Sequence, residues 1–234
     1  MTTTNALALH TWTLDTTPLA DLLRIVRATG WDAVELRRLD WERADKAGQP
    51  ASAVVDQAKA SGLGVACVGV ELGWMWASGE ERARLFRVFD EQCGRAASLG
   101  CARMMSPVDR GRGEVRAAAA SIREAADIAA RHGVRLAVEF NSQAEQLNTL
   151  ERMREVMALV SHPAAGLLLD TYHLGRRGPA APARGRRPCR DRLCAVQRRA
   201  GERTRAGQGP RSVAARQGQR AVQGDLRRDR GQGL

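Results

Sequence analysis

The chain has 234 residues, with 37 Lys and Arg against 26 Asp and Glu and a formal net charge of +11. Five cysteines (Cys67, Cys93, Cys101, Cys189 and Cys194) form no C-x-x-C pair, which excludes a zinc ribbon and gives no disulfide framework; buried reduced thiols are expected. No run approaches the ~18 apolar residues of a membrane span, and Met1 to His10 lacks the basic and apolar regions of a signal peptide, so a soluble cytoplasmic protein is expected.

An apolar run over Ala6–Trp12 predicts a first strand, and Leu19–Ala28, whose apolar residues return every three or four positions, a first helix. Strands are then expected over Asp32–Leu36, Val65–Leu72, Cys101–Met105, Val134–Phe140 and Ala165–Asp170. Helices are expected over Ala51–Ala60, Glu80–Ser98, Val115–Arg131 and Leu150–Val160. Gly30, Gly62, Gly100 and Gly133 each close a helical stretch, where a left-handed residue ends the hydrogen-bond ladder. These glycines lie 32, 38 and 33 residues apart, the length of a strand plus a crossover helix.

Strict alternation of strand and helix implies parallel strands with helices outside, because right-handed crossovers join parallel neighbours. No G-x-G-x-x-G follows the first strand, which weakens a dinucleotide-binding open sheet and leaves a (β/α)8 TIM barrel, of which about six units are recognisable. The organisation expected is a partial barrel domain over 1–175 and a basic tail over 176–234.

Composition marks that boundary. Up to Gly175 there are 20 basic and 22 acidic residues; beyond it there are 17 arginines and 4 acids in 59 residues that lack Lys, Ile, Met, Phe, Tyr, Trp, Asn and His. Such an Arg/Gly-rich segment has too little apolar surface to offset its ordering entropy and is expected to be disordered. Three readings compete: an arm attracted to nucleic acid by charge alone, a disordered linker, or an out-of-frame translation. The last is preferred, because the missing types, His and Trp apart, have AT-rich codons and the tail is about as long as two further barrel units.

Chemistry belongs at the C-terminal ends of barrel strands. Those ends present His10 and Trp12, Glu35, Glu71, Ser106, Glu139, and Asp170 with His173. Glu139 stands among apolar residues of a strand covered on both faces, where a carboxylate is costly without a cation or donors. Asp170 follows 31 residues later, one repeat along, and adjacent strands are about 4.8 Å apart, so the two could share a divalent ion at about 2.0–2.2 Å. The bland alternative is that Asp170 caps its loop and Glu139 meets an arginine. His173 lies close enough to approach whatever Asp170 holds. Trp74 and Trp76 are expected mainly as packing rather than as an apolar wall of a pocket, and Glu35 and Glu71 as strand-end acids that either face the mouth or pair with an arginine.

Three phrases, Gly30-Trp31-Asp32-Ala33-Val34-Glu35-Leu36-Arg37, Val138-Glu139-Phe140-Asn141 and Leu168-Leu169-Asp170-Thr171-Tyr172-His173, resemble the xylose isomerase-like TIM barrels of the sugar phosphate isomerase/epimerase family. The resemblance implies one divalent ion (Mn, Mg, Co or Zn) held by a Glu on strand five, an Asp on strand six, and a His and a Glu on the last two strands. Glu139 and Asp170 match the first two. It further implies that Glu139 acts in acid/base proton transfer next to a carbonyl of a sugar, sugar phosphate or polyol, and that His173, with His10 and Trp12 as weaker transfers, contacts the substrate. A dehydratase of the inosose or dehydroshikimate type is the nearest alternative.

The sequence departs from that pattern. No histidine follows His173, and the remaining acids, Asp191, Glu202, Asp225 and Asp229, have no strand-like setting. Half of the implied ligand set is missing, so impaired turnover is expected, as is self-association through the open edges of strands one and six.

Overall fold

The computed structural model describes residues 6–177 and the backbone of 196–197. The readings of the basic segment, and Cys189 and Cys194, otherwise lie outside the described residues. Six strands, β1 (Ala8–His10), β2 (Ala33–Arg37), β3 (Gly64–Gly69), β4 (Arg103–Pro107), β5 (Arg135–Glu139) and β6 (Ala165–Asp170), pair in chain order, every neighbour parallel. A two-residue strand β7 (Val196–Gln197) pairs with Leu169 and Asp170 of β6. The edge expected to be open at the sixth strand is therefore covered at its C-terminal end.

The connecting helices are α1 (Leu19–Ala28), α2 (Arg38–Lys46), α3 (Ala53–Ser61), α4 (Gly79–Ser98), α5 (Val115–Arg131) and α6 (Leu150–Val160), with α7 (Thr171–Arg177) following β6 directly. Gly30, Gly62, Gly100 and Gly133 all have positive φ, as helix-ending glycines should. Helix α2 has no counterpart in the sequence reading. Its stretch is too charged to show an apolar stripe, and it buries chiefly Trp41 and Asp40; Asp40 accepts the Arg37 amide at 2.7 Å and so closes the first turn, while Arg38 pairs with Glu42 one turn on. Helix α7 begins because Asp170 accepts the Tyr172 amide at 2.6 Å, and it runs through Gly175, so the compositional boundary falls inside a helix.

Register separates the two faces of the sheet, since paired residues on parallel neighbours share a face. One face carries Val34, Leu36, Val68, Met104, Leu136, Val138 and Leu167, each at most 4% exposed, against helix residues such as Leu22, Val54, Phe89, Ile122 and Met153. The other face has only a small apolar cluster, Ala137 and Leu168 with Met105 against them, and its remaining positions include His10, Glu35, Cys67, Glu139 and Asp170. That is the inner face of the barrel wall.

Candidate metal centre

Glu139 ends β5 and pairs in register with Leu168 of β6; Asp170 lies two residues further along, on the same face. The two are 8% and 6% exposed. One ligand atom each from Glu139, Asp170 and His173 lies within 4.8 Å of the others. The immediate start of α7 is what brings His173 in, three residues after Asp170 and in the first turn of the helix.

His173 is held on two sides. Its ring sits 6.2 Å from that of Phe140 and 5.2 Å from that of Tyr172. The Ser142 amide donates to His173 Nδ1 at 3.3 Å, with Ser142 Oγ at 2.9 Å from the same nitrogen. An amide N–H can only donate, so Nδ1 carries the lone pair, and the hydrogen of the neutral ring is on Nε2. In that tautomer the ring offers a donor to a substrate oxygen; Nε2 would ligate a cation only after giving up that hydrogen.

Burial pushes the Glu139 carboxyl up to about 8, helped by the charge of Asp170, by a hydrogen bond between the two side chains, and by Glu35. Glu35 is raised too, by burial and then by Asp170. Burial lowers the His173 imidazole, with Asp170 opposing and Arg176 adding to it. Among the described residues no ion pair reaches Glu139 or Asp170. Two buried like charges in contact require either a shared proton or a cation between them, and an oxygen-rich donor set with an imidazole at its edge fits a divalent ion.

The other strand-end residues divide. Asp170 does cap its loop, as the bland reading had it, but among the described residues no arginine pairs with Glu139. Glu71 pairs with Arg84 at 2.9 Å and Arg38 at 3.9 Å and serves structure. Ser106 faces the outer core and accepts the Trp74 indole N–H at 3.1 Å; Trp74 packs on Phe86 and Phe89, and Trp76 also lies against that core. Cys67, Cys93 and Cys101 are free and buried, in keeping with the sequence reading. His10 is in register with Glu35, while Trp12, 70% exposed, stands on the rim and not in the acidic cluster.

Two supporting residues were not visible in the sequence. Nothing in the spacing signalled Ser142, which meets His173 only because α7 starts without a loop. Asp109, 6% exposed, accepts the Gly73 amide at 2.6 Å and the Met75 amide at 2.8 Å, tying the segment after β3 to that after β4.

Residues 23–218 match the family described as the xylose isomerase-like TIM barrel. The chain belongs to that family. The match runs past Gly175, further than the sequence phrases reached. Structures of this barrel type that resemble the chain include the IOLI protein with a bound zinc atom (18% identity, TM-score 0.66, 74% of this chain and 66% of that one). Others are the probable 3-DHS dehydratase AsbF from Bacillus anthracis (15%, 0.62, 73% and 64%) and D-psicose 3-epimerase in the presence of D-fructose (16%, 0.62, 75% and 67%). At these identities the likeness is one of fold, and the chain spans about two thirds of the length of each. No curated protein matches the chain by sequence. Among the described residues no helix is long and apolar enough to cross a membrane.

Proposed function

We propose that the chain is a xylose isomerase-like protein of the metal-dependent isomerase/epimerase type, acting on a sugar, sugar phosphate or polyol, with Glu139 and Asp170 as cation ligands and Glu139 also as the proton-transfer group. The observation that carries this is the buried Glu139–Asp170 pair with His173 within 4.8 Å. A divalent ion held there would polarise the oxygens of a bound carbonyl compound. The structure similar to this chain that holds a zinc atom, and the epimerase structure described with D-fructose, favour the same reading.

The chain's own residues supply the rest. Burial raises the Glu139 carboxyl in the cation-free chain, and a bound cation would oppose that rise and favour the carboxylate form that can take a proton. His173 Nε2–H would orient a substrate oxygen, and Phe140 keeps water from one side of the ring. With Glu139 as the one group assigned to proton transfer among the described residues, a proton taken from the carbon next to the carbonyl would be returned to the same side. The expected result is therefore solvent exchange without inversion.

Mn2+ titration by calorimetry, with Glu139→Gln and Asp170→Asn as controls, tests the site; saturable binding lost in both variants is expected, and equal binding by all three proteins would overturn it. Incubation of D-fructose with the Mn2+-loaded full chain in D2O tests the chemistry. Deuterium is expected next to the carbonyl with little epimer, an epimer in quantity would show a second proton donor, and loss of water would turn the reading to a dehydratase.

A further inference from the structure

Helix α7 carries a cation that proton transfer at Glu139 does not use. Arg176 lies three residues after His173, a spacing that puts both on one side of the helix with about 4.5 Å of rise between them. Tyr172 joins the two. Its ring is 5.2 Å from that of His173, at an interplanar angle of 67°, and the Arg176 guanidinium stands over it, 5.5 Å from the centroid. Arg176 Nη1 also donates to the Tyr172 hydroxyl at 3.3 Å.

A guanidinium has five N–H donors, so one hydrogen bond leaves most of them for a ligand. Among the described residues no carboxylate pairs with Arg176, whereas Arg37, Arg43, Arg82 and Arg84 are each held by an acid. Tyr172 is 43% exposed and Arg176 is exposed too, so the stacked pair faces solvent one helical turn beyond the site.

Charge and shape decide what such a group serves. The inner face gathers Glu35, Glu139 and Asp170, which repel an anion, and Arg176 offers the far end of a ligand the opposite charge. Paired guanidinium N–H groups match two oxygens of a phosphate or carboxylate, while a neutral hydroxyl engages them singly. Stacking on Tyr172 restricts the arginine before a ligand arrives, so less side-chain freedom is lost on binding.

We propose that Arg176, held against Tyr172, is a specificity-determining residue that takes a terminal oxyanion, a phosphate or a carboxylate, at the end of the substrate remote from the reacting carbonyl. The proposal rests on the isomerase/epimerase reading above and narrows it. Among sugar, sugar phosphate and polyol, the site favours the ligand with an anionic end.

The test is calorimetry of the full chain in Mn2+ buffer, comparing D-fructose 6-phosphate with D-fructose and D-glucuronate with D-glucose; the two pairs separate a phosphate from a carboxylate. At least one anionic ligand should bind about tenfold more tightly than its neutral counterpart, the scale of a charge-assisted hydrogen-bonded pair. Arg176→Met should abolish that advantage and leave the neutral sugar unchanged. Arg186→Met, which removes one charge from the basic segment, should preserve it. Equal affinities in the wild type, no saturable binding of either anion, an advantage that survives Arg176→Met, or the same loss in both variants would overturn the proposal. If Arg176→Met does not fold, Tyr172→Leu, which keeps the charge and removes the stack, should lose part of the advantage, and an unchanged preference would overturn the proposal. Mn2+ titration of the same samples separates the two readings. A preference for the anion without Mn2+ binding contradicts the metal-site reading alone, whereas Mn2+ binding without the preference contradicts this proposal alone.

Discussion

The two faces of the sheet differ in burial as well as in composition: the outer-face strand residues are almost wholly hidden from water, while His10, Glu35 and Met105 on the inner face are only partly buried. On the outer face Val34, Leu36, Val68, Met104, Leu136 and Val138 interlock with the helices. On the inner face the same strands turn His10, Glu35, Cys67, Glu139 and Asp170 inward, and the apolar packing shrinks to Ala137, Leu168 and Met105. Alternation along a strand lets five or six residues supply stability on one side and chemistry on the other. The outer face lowers the free energy of the fold, and the inner face spends part of that gain holding like charges together.

Substitutions on the two faces should therefore behave differently. The largest effect is expected from Leu136→Ala, which removes a fully buried outer-face side chain and should cost about 2–5 kcal/mol in chemical denaturation. A loss below about 1 kcal/mol would mean that the outer face is not the main core. On the inner face the outcome should depend on cation and pH. With Mn2+ at a hundredfold excess over its dissociation constant, the wild type should gain about 2.7 kcal/mol and Glu139→Gln almost nothing.

Without cation, the pH trend follows from the proton count. Glu139 titrates at about 8 in the folded chain against an ordinary 4.5. Below the lower value both states hold the proton, and between the two only the folded state does. Its contribution is thus complete at low pH and is lost as pH rises towards and through 8. Thermal melts of the cation-free chain should fall across that window, and Glu139→Gln should flatten the decline; an unchanged slope would show that the carboxyl is not displaced upward.

Smaller effects sharpen the contrast between site and scaffold. Asp109→Ala leaves the Gly73 and Met75 amides without their acceptor and should cost about 1–3 kcal/mol without changing Mn2+ affinity. Thr149→Ala removes the cap that accepts the Arg152 amide at the start of α6 and should cost about 1 kcal/mol. An altered Mn2+ affinity in either variant would join these supports to the inner face.

Much of the fold was legible because its signals are local. Val115–Arg131 and Leu150–Val160 matched their helices, since apolar spacing and a terminal glycine or left-handed residue sit within one turn of each other. Helix α2 escaped because a charged segment with two buried residues shows no stripe, and α7 because a carboxylate cap, not a pattern, starts it. Of the site, Glu139 and Asp170 stood out as acids in apolar strands. Ser142 did not, because it acts through a partner distant in sequence.

By itself the sequence determined the succession of strands and helices, the parallel pairing that follows from it, and which strand ends carry acids, because periodicity and turn residues act over a few positions. Tertiary structure alone decided which of those acids share the barrel interior. Glu35, Glu139 and Asp170 meet there while Glu71 is drawn off to Arg84 and Arg38, since register and side-chain partners are set by contacts between segments that the chain order does not specify.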